Sequence, residues 1–292
     1  MTSIANRALR STVHGHVLLA FAAVLQSAWV GDLFHWQVGV GTLLFAGLLT
    51  FSAYGAMRLL RMDSPGAAGS DVMRWYRDHR RTMLVLVALS GIAALVLGWC
   101  IGGAVVSALW LPALVAATYT LPLSVSKGNP IGLRRLPFLK GFLIAYVWTA
   151  LVVVLPNHLA SDEISGTSPW WFASIWFCYF LALAVAFDVR DLPHDLPSLR
   201  TLPQVFGPRM ATLLAVLLLV PMGVFLCAAL LVGRIAAEGD YDASLLLPLV
   251  GLVATAGVVA FARPSRPWWY YPLLVDGSMV LLPLLSWLGA IC

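Results

Sequence analysis

Charge is what this sequence has least of. Only 11% of its 292 residues are Asp, Glu, Lys or Arg, against roughly 25% in a soluble globular protein. So few charges cannot cover a water-facing surface. That excludes a soluble enzyme, a disordered chain and a free nucleic-acid-binding domain. Cysteine is scarce as well. Cys100, Cys178, Cys227 and Cys292 lie in or at the ends of apolar runs without CxxC spacing, so they read as small buried hydrophobes and not as a disulfide or metal framework. The six histidines show no metal-ligand spacing, and His14 and His16, two apart, do not share a helical face. Internal repeats are not detectable, which argues against a secondary transporter.

What is abundant is apolar sequence, at 61% of the chain with a mean hydropathy of +0.89. A spanning helix needs about 20 mostly apolar residues. Nine stretches qualify, near 13–31, 38–57, 82–100, 104–122, 138–157, 169–187, 210–233, 243–262 and 270–291. Only Gly102 and Gly103 separate the third from the fourth. The expected fold is therefore an all-α membrane protein, a nine-span helical bundle forming one polytopic domain over 1–292. Its central cavity is expected to open to the cytoplasmic side.

Nine spans place the N-terminus and the loops 58–81, 123–137, 188–209 and 263–269 on one side. That side holds 17 of the 18 Lys and Arg residues, with only Arg234 opposite. Positive charge marks the cytoplasmic face, so the N-terminus is expected there, in an inner or plasma membrane. The run Arg74, Arg77, Arg80 and Arg81 suits anionic lipid headgroups better than nucleic acid. Trp170–Trp171 and Trp268–Trp269 fall at span ends, where indole rings suit the headgroup zone.

The cytoplasmic loops are also the longest, so chemistry is expected at that face. The sixth span runs into Phe187-Asp188-Val189-Arg190-Asp191-Leu192-Pro193-His194-Asp195. Asp188, Asp191 and Asp195 stand at i, i+3 and i+7, one face of a helix. Like charges at a membrane edge repel and resist desolvation, and a hard cation would neutralise them. Mg²⁺ takes carboxylate oxygens and leaves positions for phosphate. Pro193 and Pro197 interrupt the helix, which leaves Asp188 and Asp191 as the firmer pair. The competing reading is a solvated loop whose acids pair with Arg190 and Arg200. Asp276, about two turns into the last span, is an ionisable group at membrane depth and thus a functional candidate. It would act as proton acceptor or partner of a cation, or else as a protonated acid in helix packing.

The stretch 187–207, FDVRDLPHDLPSLRTLPQVFG, resembles the second aspartate-rich motif of the UbiA superfamily of intramembrane prenyltransferases. The matching positions are Asp188, Asp191, Asp195, Thr201, Leu202, Pro203 and Gly207. TYTLPLSVSKGN, at 118–129, looks like the tyrosine- and lysine-bearing loop of that family, with Tyr119 and Lys127 in those roles. The resemblance implies Mg²⁺, a prenyl diphosphate donor and a lipophilic acceptor, with transfer or cyclisation of the isoprenoid. The departures are specific. The first aspartate-rich motif is missing from the end of the second span, where Tyr54, Arg58 and Arg61 stand instead and Asp63 is the nearest carboxylate. Pro193 and His194 stand where the family often has glycine, and the glycine before Thr201-Leu202-Pro203 is absent.

Guanidinium binds phosphate in bidentate fashion. The expected site is therefore one Mg²⁺ held by Asp188, Asp191 and Asp195. Arg58 replaces a second metal, Lys127, Arg134 and Arg135 close over the diphosphate, and Tyr54 and Tyr119 are further contacts. Ordinary positive-inside anchoring is the competing account of Arg58. A non-catalytic relative that binds an isoprenoid phosphate, or an unrelated multi-span transporter or scaffold, are the other functions this sequence allows.

Overall fold

The computed structural model describes residues 4–63, 71–120, 124–126, 129–131, 139–160, 169–193, 200–236 and 245–291. The chain divides into two compact units, Met1–Ser107 and Ala108–Cys292.

The first unit begins with α1 (Ile4–His14) and α2 (Val17–Leu33), which bend by 62° at Gly15–His16. His16 has a φ of 59°, in the left-handed region that a non-glycine residue rarely adopts. Then come α3 (Val40–Arg61), the short α4 (Asp71–Asp78) and α5 (Arg80–Ile101). In α4 Met73 and Tyr76 are buried while Arg74 and Arg77 are exposed, so the basic face looks outward. Small residues let α3 and α5 approach. A Cβ on Gly55 would run into the Val87 methyl, and one on Gly91 would meet Ser52 Oγ at 2.9 Å. Ser52 Oγ also donates to the Val87 carbonyl at 3.3 Å. Such close contacts hold helices together where lipid gives no hydrophobic drive.

The helix α6 (Gly103–Thr120) follows directly on Gly102, whose φ of 104° explains why glycine sits at this junction. The second unit contains an antiparallel hairpin, β1 (Ser124–Ser126) with β2 (Asn129–Ile131), paired Val125 to Pro130. This short hairpin is the one non-helical pairing among the described residues, and the chain is otherwise all-α as expected. Next, α7 (Leu139–Thr149) passes through a π-helical turn at Ala150–Val154 into α8 (Leu155–Ala160). The central helix is α9 (Pro169–Asp191), 78% buried over its apolar window. It packs on α7 and on α10 (Leu202–Leu217), which leads into α11 (Val220–Ala236). Thr201 starts α10: its backbone N–H donates to Gln204 Oε1 at 3.0 Å, one half of a capping box. Gly207, at φ 80°, breaks α10 before Pro208. The chain ends with α12 (Leu246–Ala260), a π-helical turn at Tyr270–Val275, and α13 (Asp276–Ile291). Pro272 has no N–H to give to a regular ladder, and the π-turn absorbs the fault. The turn is pinned by Tyr270 Oη donating to the Val258 carbonyl at 2.6 Å and Tyr271 Oη to that of Arg263 at 2.9 Å.

Among the described residues, six helices are long and apolar enough to cross a membrane, or seven if the bent α1–α2 pair is one span. Two further apolar helices, Gly103–Thr118 and Leu246–Ala260, are shorter and occupy the expected fourth and eighth positions. Large apolar side chains are exposed along these helices, including Leu95, Val96 and Trp99 on α5. Such surfaces need lipid, and the chain is an integral multi-pass membrane protein. Cys100 and Cys227 are exposed, which corrects their reading as buried hydrophobes; Cys178 is half-buried.

Candidate functional site

The helix α9 ends at Asp191, so only Asp188 and Asp191 share its last face. Asp195 lies outside the described residues. Asp188 is buried and Asp191 half-buried, and the two are joined by a residue that the sequence reading passed over. Lys140, in the first turn of α7, places Nζ 2.8 Å from Asp188 Oδ1 and 3.3 Å from Asp191 Oδ2. Both Lys140 and Asp188 are less than a tenth exposed. Arg190 Nε donates to Asp191 Oδ1 at 2.7 Å. Its guanidinium lies 4.7 Å from the Phe187 ring centre and 5.6 Å from that of Tyr271, within cation–π range. Gly141 keeps α7 close: a Cβ there would already touch Leu181 at 3.4 Å and Asp188 Oδ2 at 3.7 Å.

Asp276 opens α13, is buried, and acts electrostatically on Arg190 and on Tyr179. Tyr179 Oη lies 3.1 Å from Ser278 Oγ, and Ser278 gives its own proton to the Val275 carbonyl at 2.7 Å. Asp276, Tyr179 and Ser278 therefore extend the ionic cluster along α9 and α13. The structure thus brings Asp188, Asp191 and Asp276 into one neighbourhood and adds Lys140 and Arg190. Lys127, Arg134 and Arg135 lie outside the described residues, and so does the side chain of Tyr119, in the last turn of α6.

The donor set does not suit Mg²⁺ as it stands. Three of the four carboxylate oxygens of Asp188 and Asp191 already accept from fixed cations. A divalent ion about 4 Å from the Lys140 ammonium would meet roughly 8 kcal/mol of repulsion at an effective dielectric constant of about 20. Among the described residues no group of three His, Cys, Asp or Glu is placed to hold a metal ion. The pair expected to grip a metal instead grips a lysine. A lone lysine two residues inside an apolar span was the available signal, by the same reasoning that singled out Asp276.

In the first unit, Arg58 lies in the last turn of α3, with Tyr54 one turn earlier on the same face. The His16 ring lies 5.4 Å from Tyr54 and 6.1 Å from Tyr76, which α4 contributes. Arg58 acts electrostatically on His16 and on Tyr76. Burial pushes the Tyr76 phenol far above its ordinary value, against a smaller opposing effect of Arg58, so it remains an O–H donor. Asp63 is exposed beyond the helix.

No family model matches the sequence, and no curated protein does. Solved structures do. A UbiA homologue from Aeropyrum pernix K1, in its apo state, superposes with a TM-score of 0.61 at 14% identity, over 93% of this chain and 96% of the other. A UbiA homologue from Archaeoglobus fulgidus bound to DMAPP and Mg²⁺ gives 0.59 at 11% identity, over 97% and 99%. The same homologue bound to GPP and Mg²⁺ gives 0.58 at 11% identity, over 97% and 100%. Across nearly its whole length, this chain has the fold of the UbiA homologues.

Proposed function

We propose that this chain is a divergent member of the UbiA superfamily, a membrane prenyltransferase-type enzyme that takes a prenyl diphosphate and passes the isoprenoid to a lipophilic acceptor or cyclises it. The observation that carries the reading is the Lys140–Asp188–Asp191–Arg190 ionic network at the end of α9, buried at Lys140 and Asp188, in a fold whose solved homologue binds DMAPP and GPP.

In such a transfer the C1–O bond of the allylic diphosphate breaks and its electron pair leaves with the diphosphate. The acceptor then bonds to C1 and loses a proton. Positive charge near the leaving oxygen lowers that barrier. Asp188 and Asp191 hold Lys140 and Arg190 as such charges, the lysine buried and the arginine half-buried. Lys127, Arg134 and Arg135 are the further cations proposed to close over the diphosphate, with Tyr119 as a contact. Asp276 takes the released proton or steadies Arg190. Mg²⁺, which accompanies the diphosphate in the homologue, meets no uncommitted acidic pair among the described residues, and no step is assigned to it.

A second reading, a binder that does not ionise its ligand, is favoured by the saturated acidic pair and the absent first motif. Pyrophosphate release from geranyl, farnesyl and geranylgeranyl diphosphate by the purified protein separates the two. Release that Asp191→Asn abolishes supports the enzyme. Binding without release assigns the binder. Absence of binding to all three overturns both.

A further inference from the structure

We propose that α1 and α4 together form an in-plane docking surface for the anionic headgroups of the adjoining bilayer leaflet, with α1 lying along the membrane instead of extending the span that follows it. The proposal is independent of the prenyl diphosphate reading. It rests on exposed arginines and an exposed apolar helix face, all within the first unit.

The bend sets α1 apart from the span. It leaves α2 at 62°, so with α2 crossing the bilayer α1 lies nearer the membrane plane than the normal. Its 11 residues cover about 16 Å. Ala8, Leu9, Thr12 and Val13 share one face, and Arg7, Arg10, Ser11 and His14 the opposite one. Thr12 Oγ1 donates to the Ala8 carbonyl at 3.1 Å, which hides its hydroxyl from the apolar side. Val13 is buried beside the bend, but Ala8, Leu9 and Thr12 are exposed. A helix apolar on one side and basic on the other lies stably in an interface. The helix α4 is anchored differently. Met73 clusters with Met62, and Tyr76 with Met83 and Val87, so its apolar face is spent on the protein and Arg74 and Arg77 look outward. Trp75 ties the two helices together: its ring lies 6.1 Å from that of His14 and stacks on His79 at 4.5 Å.

The helix α5 fixes the level of the bilayer edge. Arg80 and Arg81 open it, and Leu84, Val85 and Leu86 follow as exposed apolar side chains that call for acyl chains. Three to five residues of helix are roughly 5–8 Å, so these arginines stand at headgroup level. Arg7, Arg10, Arg74, Arg77, Arg80 and Arg81 are all exposed. The acids on the same elements are Asp71 and Asp78, and Asp71 is paired with Arg74 at 3.5 Å. Such an excess of positive charge is complementary to an anionic surface. The exposed apolar face of α1 decides which kind, because a nucleic acid would leave Leu9 in water. An anionic leaflet offers hydrocarbon for Leu9 and phosphates side by side for the guanidinium groups, which long arginine side chains reach around the helix.

The test follows the melting temperature of the full-length protein in maltoside detergent during titration with phosphatidylglycerol or phosphatidylcholine. Phosphatidylglycerol is expected to stabilise the wild type and phosphatidylcholine is not. Arg74→Gln/Arg77→Gln/Arg80→Gln/Arg81→Gln and, separately, Arg7→Gln/Arg10→Gln are each expected to raise the phosphatidylglycerol concentration at half effect at least about fivefold, the worth of one arginine near an anionic surface. Arg209→Gln/Arg263→Gln, which removes two exposed charges from the second unit, is expected to leave it unchanged. An unchanged midpoint in either of the first two variants, or an equal loss in the third, overturns the proposal. The position of α1 is read from a bimane dye on Leu9→Cys in phosphatidylglycerol nanodiscs, with Cys100, Cys227 and Cys292 replaced by serine and the same protein without Leu9→Cys as background. Blue-shifted emission is the expected result, and water-like emission overturns the in-plane helix. Transfer RNA at equal phosphate concentration is expected not to stabilise the wild type. Stabilisation that matches phosphatidylglycerol and is lost in the same arginine variants would assign the surface to nucleic acid and overturn the proposal. A wild-type dimer that those variants dissociate would assign it to a second copy of the chain, with the same consequence.

Discussion

Lys140 Nζ stands 2.8 Å from Asp188 Oδ1 and 3.3 Å from Asp191 Oδ2, a single ammonium closing two carboxylates at the end of the most buried spanning helix. Removing one member leaves buried charge behind, and breaking such a pair costs about 3–5 kcal/mol. Asp188→Ala should therefore lower the melting temperature in detergent sharply. The double variant Lys140→Met/Asp188→Leu should recover most of that loss, because both charges go together. A double variant no more stable than the single one would show that the pair is not coupled.

Removing the lysine should also change the ion preference of the site. In Lys140→Ala the two carboxylates lose their shared ammonium, and Asp191 keeps only Arg190. A divalent cation then becomes the available counter-charge. Mg²⁺ should raise the melting temperature of Lys140→Ala in a concentration-dependent way and leave the wild type within about a degree, as ligand linkage requires. Equal stabilisation of both proteins would contradict the argument from donor occupancy.

The contact between α3 and α5 depends on a missing side chain. A Cβ on Gly55 collides with Val87, so Gly55→Ala should lose about 1–3 kcal/mol to overpacking. Up to about 1 kcal/mol of helix propensity is regained. Gly41→Ala lies on the same helix with nothing within 4 Å, and it should be neutral or slightly stabilising. Thermal melts of the two variants side by side give the comparison.

Tyr179→Phe removes the hydroxyl that meets Ser278 and leaves the Ser278 bond to Val275 in place. Interhelical hydrogen bonds in membranes average about 0.6 kcal/mol. The expected effect on melting is correspondingly small. A larger effect on pyrophosphate release than on stability would show that Tyr179 and Asp276 take part in the reaction.

Sidedness gives a prediction of a different kind. If the positive side is cytoplasmic, a cysteine introduced at Arg77 on exposed α4 should resist a membrane-impermeant maleimide in intact cells. It should react after permeabilisation. Labelling before permeabilisation would invert the topology.

Much of this was legible in the residues because hydropathy and charge act locally. The apolar runs appear as helices, and Asp188 with Asp191 was identifiable from i, i+3 spacing. The helix that begins after Thr201 lies inside the expected loop 188–209, because its start is set by the Thr201–Gln204 cap and not by hydropathy. Other features depended on tertiary context. Lys140 looked like one more positive charge near the cytoplasmic edge, because nothing local shows that α7 brings it onto α9. His16 gave no periodic signal, since its left-handed φ and the helix break beside it follow from tertiary context. Tyr76 sits in eight residues whose buried face is defined only once α3 and α5 cover it. The bend at Gly15–His16 was also not legible, since it divides α1 from α2 inside the expected first span.

The most direct measurement is the dissociation constant of farnesyl S-thiolodiphosphate for the purified wild-type protein, once in EDTA and once in saturating Mg²⁺. With Lys140 already seated between Asp188 and Asp191, the two values should agree within about threefold, under 1 kcal/mol of difference. Binding that appears only with Mg²⁺ would mean that the metal displaces the lysine, and it would contradict the account.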